Sequence, residues 1–193
     1  MTRRMTRTAV LLGAVLLGAT GCAGLRDSVG GLFGPSAATT EAKEVTAAEA
    51  KRVALAKALS DTGVSVLRMP NHELQVNVPS DFSFTTDRAE IRAEGRAPLD
   101  DLASNLLTPM FAAMRIRIVG YTDSVGTEAV NDTLSLARAN SVRRHLEAKG
   151  VPAALIEVAG RGARDPLAPN DKAYGRTLNR RIEIYLREPG TAP

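Results

Sequence analysis

The sequence predicts an α+β fold, a two-layer sandwich in which helices pack on a mixed β-sheet, preceded by an N-terminal helix and hairpin. Three observations predict it. Apolar residues alternate over Leu74, Val76 and Val78, over Met114, Ile116 and Ile118, and over Ile182, Ile184 and Leu186, the period-two pattern of strands with one buried face. Two intervening stretches, around Leu99–Leu106 and Leu134–Leu146, carry apolar residues at helical spacing instead. The domain segments then arrive in the order β, α, β, α, β, β, which suits helices returning over one sheet. With 193 residues, 44% hydrophobic and 24% charged, the chain is long enough for one well-buried domain plus appendages.

Residues 1–21 have a basic start at Arg3, Arg4 and Arg7, an apolar run from Ala9 to Leu17, and small residues up to Gly21. That is the layout of a secretory signal peptide, and the run is short for a transmembrane helix. The single cysteine of the chain, Cys22, stands at the expected cleavage point. Its placement resembles a bacterial lipobox, although Ala19 takes the position where Leu is usual. The resemblance implies that Cys22 becomes the mature N-terminus and is acylated, and multiple acyl chains give a stable membrane anchor. Ala23, rather than Asp, follows Cys22, which in lipoproteins favours the outer membrane. The chain thus divides into a signal peptide at 1–21, a lipidated start and flexible Gly/Ser/Ala/Thr-rich tether at 22–45, a helix plus hairpin at 46–78, and the main domain at 79–188.

The net charge of +4 comes from 25 Lys and Arg against 21 Asp and Glu. Three of those arginines lie in the removable segment, leaving 25 − 3 = 22 against 21. Nucleic-acid binding calls for a basic stripe with stacking aromatics, and at 4% aromatic with no Trp this chain has neither.

Along the chain, Thr46 opens a T-x-x-E capping box with Glu49, and Val53, Leu55, Ala56 and Leu59 continue a helix until Gly63. Val64 to Met69 and Leu74 to Val78 alternate around the turn Pro70-Asn71-His72, a hairpin. Phe82 and Phe84 precede a loop containing Asp87, and Pro98 begins the next helix, where its missing N–H costs nothing. A strand over 114–119 leads through a turn at Gly126 into a helix ending near Lys149, with Gly150 as its cap and Pro152 beyond. Ile156–Val158 and Arg181–Leu186 are strands, and the long stretch between them is expected to be an ordered loop.

The informative part is GYTDSVGTEAVNDTLSLARANSV, from Gly120 to Val142. It places the carboxylate of Asp123 at a strand's C-terminal edge and Arg138 on the apolar side of the next helix, with Asn131 on the same face about 10 Å away along the axis. A charge set against a core needs a fixed anionic partner. Asp123 is the nearest candidate, so the pair is either an internal salt bridge or a binding site for a ligand carrying both charges. An acid and a base side by side suit an amino-acid headgroup.

The runs GYTDSVG, NDTLSLARANSV and, later, GRTLNRRIEI together resemble the OmpA-like peptidoglycan-binding domain, roughly from Pro79 to Leu186. The family fold has the same element order. The resemblance implies that Asp123 takes the ammonium and Arg138 the carboxylate of a zwitterionic stem-peptide residue, diaminopimelate in most members. Asn131 lies at a family position that hydrogen-bonds the ligand, or else stabilises the helix start. Thr122 is next to Asp123, and Arg180 matches the first Arg of the family's N-R-R motif and would add a second cation near the carboxylate. One of Arg180 and Arg181 is expected to be structural. Phe84 matches the family's Phe, but Thr85 replaces the Asp that commonly follows it and Tyr121 replaces a frequent His. The 84–87 loop, with Asp87, is therefore a weaker contributor.

The sequence contains no H-E-x-x-H, G-x-S-x-G or P-loop, and no cysteine pair at metal-ligand spacing. No catalytic residue, cofactor or metal is expected. The function expected is a non-catalytic lipoprotein that tethers the outer membrane to peptidoglycan from the periplasmic face. The alternative is an interaction module for envelope proteins.

Overall fold

The computed structural model describes residues 37–61, 64–71, 73–85 and 88–190. The expected signal peptide, Cys22, most of the tether, Gly63, His72 and Asp87 lie outside the described residues. The chain from Ala38 onward forms one unit.

Its first helix, α1, runs Ala37–Ser60, starting well before the expected Thr46. Ala, Glu and Lys make up six of the nine added residues at 37–45, and these are strong helix formers. The capping-box Glu49 is used elsewhere: its carboxylate takes Arg52 at 2.6 Å and Arg68 at 3.6 Å, which ties α1 to the first strand. Leu55 and Leu59, at i and i+4, are fully buried.

Strands β1 (Ser65–Arg68) and β2 (Leu74–Pro79) form the expected hairpin. A short helix α2 (Ser80–Ser83) follows directly, where the sequence carries too few residues for a periodic signal. Helix α3 (Ala93–Leu106) holds Pro98 inside it rather than at its start. The upstream turn is set by tertiary contact. Arg92 N donates to Ser83 O at 2.8 Å, and a Cβ on Gly95 would stand 2.6 Å from Ser83 Cα, so only glycine lets α3 begin against α2.

β3 (Arg115–Gly120), α4 (Glu128–Ala148), a 3₁₀ turn at Ala153–Leu155, β4 (Ile156–Gly160), α5 (Ala173–Asn179) and β5 (Arg181–Arg187) complete the fold. α5 is a second short helix, lying in part of what reads as loop from sequence. α4 is capped as the spacing requires. Thr127 accepts from Val130 N, and Gly150 sits at φ 103° beyond the last turn.

The sheet order is β1-β2-β5-β3-β4, antiparallel except for β3 with β4. One register row crosses all five strands as Val66, Val76, Ile184, Ile118 and Val158. The next contains Leu74, Leu186, Ile116 and Ile156. These rows form the core with Leu99, Leu102, Val142 and Leu146 from the helices, giving the predicted two-layer α+β sandwich.

The opposite face carries polar and aromatic groups. Arg117 stacks over Tyr185 with its guanidinium carbon 4.6 Å from the ring centroid. The buried Glu183 carboxylate accepts from Arg181 Nε at 2.7 Å and Tyr185 Oη at 2.5 Å. Burial, followed by this neighbouring carboxylate, pushes the Tyr121 and Tyr185 phenols above their ordinary range.

The third core row ends on two glycines, Gly120 and Gly160, paired across the parallel strands. A Cβ on Gly120 would stand 2.1 Å from Ser135 O, and one on Gly160 2.6 Å from Leu136 N. The absence of both side chains lets the α4 backbone rest on the sheet. That close approach sets Asn131 and Arg138 over the C-terminal end of β3.

Candidate functional site

Beyond Gly120 the chain leaves the sheet under backbone control. Tyr121 N donates to Arg181 O at 2.9 Å, and Thr122 N to Gly162 O at 2.8 Å. Asp123 then closes its own turn, Oδ1 accepting from Val125 N at 3.0 Å. Asp123 is only 8% exposed, so its carboxylate needs a counter-charge.

That charge is Arg180. Nη1 donates to Asp123 Oδ2 at 2.6 Å, while Nε and Nη2 grip the two oxygens of Asp81 at 2.6 and 2.5 Å, and Nη2 also reaches Thr177 Oγ1 at 2.9 Å. Of the two readings of Asp123 with Arg138, the internal salt bridge is the one not found, since Asp123 pairs with Arg180. The reason is topological. β5 lies between β2 and β3, with Arg181 opposite Pro79 and Ile182 opposite Gly120. The residue just before β5 therefore emerges between the ends of both neighbouring strands, where Asp81 and Asp123 follow. The Arg180 guanidinium holds the Asp81 carboxyl below the usual carboxylate range, and the two acids, Asp81 first, raise Arg180 above its ordinary value.

Arg138 is 4% exposed and on the buried face of α4, as its position in the sequence implies. Nε donates to Arg88 O at 3.0 Å, and the guanidinium carbon lies 5.4 Å from the centroid of the Phe84 ring. It makes further interactions and is not a free cation. Asn131 is buried on the same face. The cap of α4 is Thr127, so Asn131 is not needed for that role.

These elements surround a cavity of about 540 Å³. The α2 turn contributes Ser80, Asp81 and Phe84, and the β3–α4 loop contributes Thr122, Asp123 and Val125. Asn131, Leu134 and Arg138 come from α4, and Arg176 and Arg180 from α5 and its end. The structure thus brings together Asp123, Arg138, Asn131, Thr122, Arg180 and Phe84. Arg181 is not in the lining. It stacks 3.8 Å over Tyr121 and bonds Glu183, the structural member of the two arginines. Its stacking partner also accounts for an aromatic at position 121.

Ser80, Asp81 and Arg176 are polar lining residues that sequence reasoning missed, and apolar Val125 and Leu134 line the cavity with them. Only the register of β2 with β5 reveals that Asp81 faces Arg180. Arg176 lies in the GRTLNRRIEI run, and its Nη1 donates to the carbonyls of Asn170 and Asp171 at 2.9 and 3.2 Å. The loop itself is ordered around Asn179. Its side chain accepts from Leu167 N and Ala168 N and donates to Ala168 O and Asn170 Oδ1.

The lining holds two carboxylates and three guanidiniums. Arg180 bonds both acids, and Arg138 and Arg176 stand in the same lining, so the cavity presents both signs of charge. This suits a ligand that carries both charges. An acid held ionised by a bidentate arginine is poorly placed to shuttle protons near neutrality. Among the described residues no group of three His, Cys, Asp or Glu could hold a metal ion.

The family model described as the OmpA family matches residues 83–180. The chain belongs to the OmpA family. The matched range contains Phe84, Asp123, Asn131, Arg138, Arg176 and Arg180. Among relatives in that family, "Probable lipoprotein YiaD" of Escherichia coli (strain K12) is 35% identical over 125 residues, which are 65% of this chain and 56% of that protein. The chain therefore spans little more than half the length of this curated relative. Among solved structures, the cell wall anchor of the T6SS from Pseudomonas aeruginosa is 28% identical with a TM-score of 0.60, covering 69% of this chain and 96% of that one. The peptidoglycan-associated lipoprotein from Burkholderia pseudomallei is 29% identical with a TM-score of 0.51, covering 57% and 89%. Among the described residues no helix is long and apolar enough to cross a membrane.

Proposed function

We propose that the protein is a non-catalytic outer-membrane lipoprotein that anchors the membrane to the cell wall by gripping peptidoglycan non-covalently. The observation that carries this reading is a cavity lined by Asp81 and Asp123 together with Arg138, Arg176 and Arg180. Its size and charge pattern suit the zwitterionic end of diaminopimelate in a stem peptide. The ammonium goes to Asp123 and the carboxylate to Arg138, with Asn131 and Thr122 as hydrogen-bonding neighbours. Arg180 serves this site by holding Asp81 and Asp123 in place. A cell wall anchor and a peptidoglycan-associated lipoprotein among the solved relatives support the same reading.

The second attachment is an acylated Cys22, in keeping with a lipoprotein among the curated relatives. Two modest attachments joined by a tether raise each other's effective concentration, so neither has to be tight.

Co-sedimentation with purified diaminopimelate-type sacculi tests the proposal. Wild type is expected in the pellet, and Asp123→Ala and Arg138→Ala in the supernatant while still folded by circular dichroism. Both variants pelleting like wild type would remove the site assignment. For the anchor, Cys22→Ser is expected to move the protein from the membrane to the soluble fraction. Unchanged membrane retention would exclude lipidation at that residue.

A further inference from the structure

The face of the sheet turned away from the helices divides in two. Toward the C-terminal end of β3 it is closed: Val119 and Glu183 are 4% and 3% exposed, and Arg181 Nη2 donates to Asp165 O in the loop beyond β4 at 3.1 Å. Toward the other end it is open and basic. There Arg115 and Arg117 of β3 stand beside Arg187 of β5, lining a cleft of about 320 Å³ together with Tyr185 and the acids Glu73 and Glu157.

The sheet register places Arg115 directly opposite Arg187, a like-charge cross-strand pair of the kind that destabilises a sheet. The two acids leave the cluster positive. Glu73 is 7% exposed and accepts from Asn71 Nδ2 at 2.9 Å, with Arg187 Nη1 no nearer than 4.0 Å. Glu157 is the cross-strand neighbour of Arg117 on β4, but among the described residues Arg117 forms neither an ion pair nor a hydrogen bond. Its guanidinium instead lies over the Tyr185 ring, 4.6 Å from the centroid. A guanidinium held against an aromatic face keeps its N–H edge available to a carboxylate.

We propose that this open face docks an acidic segment of another protein, one carboxylate of which enters the cleft between Arg117 and the Arg115–Arg187 pair. Charge complementarity selects that occupant. Three guanidiniums against two carboxylates disfavour a second copy of the chain meeting this one through the same face. A lipid surface is disfavoured as well, because among the described strand residues of this face Leu67 is the one exposed large apolar side chain, too little to insert. Arg and Tyr are the residue types that anchor protein interfaces. The proposal is independent of the wall-binding reading. β3 starts at Arg115 and ends at Gly120, beneath the cavity, and these positions are roughly 17 Å apart at the rise of a strand. Both sites can be filled together.

The test is fluorescence anisotropy of a labelled hexaglutamate peptide titrated with the full-length chain carrying Cys22→Ser, which keeps acyl chains out of the measurement. The parent chain is expected to bind the peptide, and Arg117→Glu to weaken binding by about tenfold. Arg115→Ala is expected to weaken it less, with a melting temperature unchanged or raised because the opposed pair is gone. Arg144→Glu makes the same change of charge at an exposed arginine of α4 and is expected to leave the affinity alone. Absence of hexaglutamate binding by the parent overturns the proposal. So does an equal loss in Arg117→Glu and Arg144→Glu, which would reduce the attraction to net charge. Tighter binding of phosphatidylglycerol vesicles than of hexaglutamate, lost in Arg117→Glu, would make the face a lipid surface and overturn it too. Sacculus co-sedimentation of Arg117→Glu is expected to match the parent, so a failure of wall binding is read separately from a failure of this face.

Discussion

Arg180 Nη1 lies 2.6 Å from Asp123 Oδ2, a pairing that spans 57 residues of sequence. The same guanidinium holds Asp81, 99 residues away, so a single side chain joins the β3–α4 loop, the α2 turn and the start of β5. Asp123 is the more buried of the two acids, with 11% of its side chain exposed against 45% for Asp81, so its contact is the less screened by solvent.

Arg180→Ala is therefore expected to destabilise the domain by about 2–3 kcal/mol, the range for lost hydrogen bonds to a partly buried charge, and to abolish sacculus binding. Arg180→Lys should recover only part of this, because a single ammonium cannot reproduce the fork on Asp81. Urea unfolding of the three proteins measures the order wild type, Lys, Ala.

The depressed Asp81 carboxyl determines a pH dependence. Because its folded value is lowered, chiefly by Arg180, its contribution is present above the unfolded carboxylate value, about 3.9. It is lost as pH falls through the folded value. Stability from this pair should be flat from neutral pH down to about 5 and decline only below about 4. Asp81→Asn should flatten that part of the acid limb in melting curves taken across pH.

Gly120→Ala tests the seat of α4. The new Cβ would lie 2.1 Å from Ser135 O, which only a shift of the helix relieves. Overpacking of this kind typically costs about 1–3 kcal/mol, and the helix that shifts carries Asn131 and Arg138. A lower melting temperature together with weaker sacculus binding is expected. A similarly conservative change at exposed Ala148 should alter neither.

Asn179→Ala removes four hydrogen bonds to the loop that precedes α5. Amide hydrogen exchange at Leu167 and Ala168 should accelerate well beyond any change in the core strands. Uniform acceleration across all strands would mean instead that Asn179 supports the whole fold.

The main strands and the two long helices of the domain are legible from periodicity, since a residue's burial repeats every two positions in a strand and about every 3.6 in a helix. The buried placement of Arg138 and the capping of α4 follow from the same local rules. α2 and α5 are too short to establish a period, and α3 begins upstream of Pro98 because of a contact with Ser83 that no local rule contains.

By itself the sequence determined the α+β class, the order of the main elements and most residues of the candidate site, because each depends on local spacing or on a motif that stays contiguous. The tertiary structure decided which charge meets which. Arg180 rather than Arg138 pairs with Asp123, and Asp81 and Ser80 join the cavity, because antiparallel pairing on both sides of β5 brings three distant segments to one edge of the sheet. Charge pairing follows distance in space, and sheet register sets that distance over separations the chain does not reveal locally.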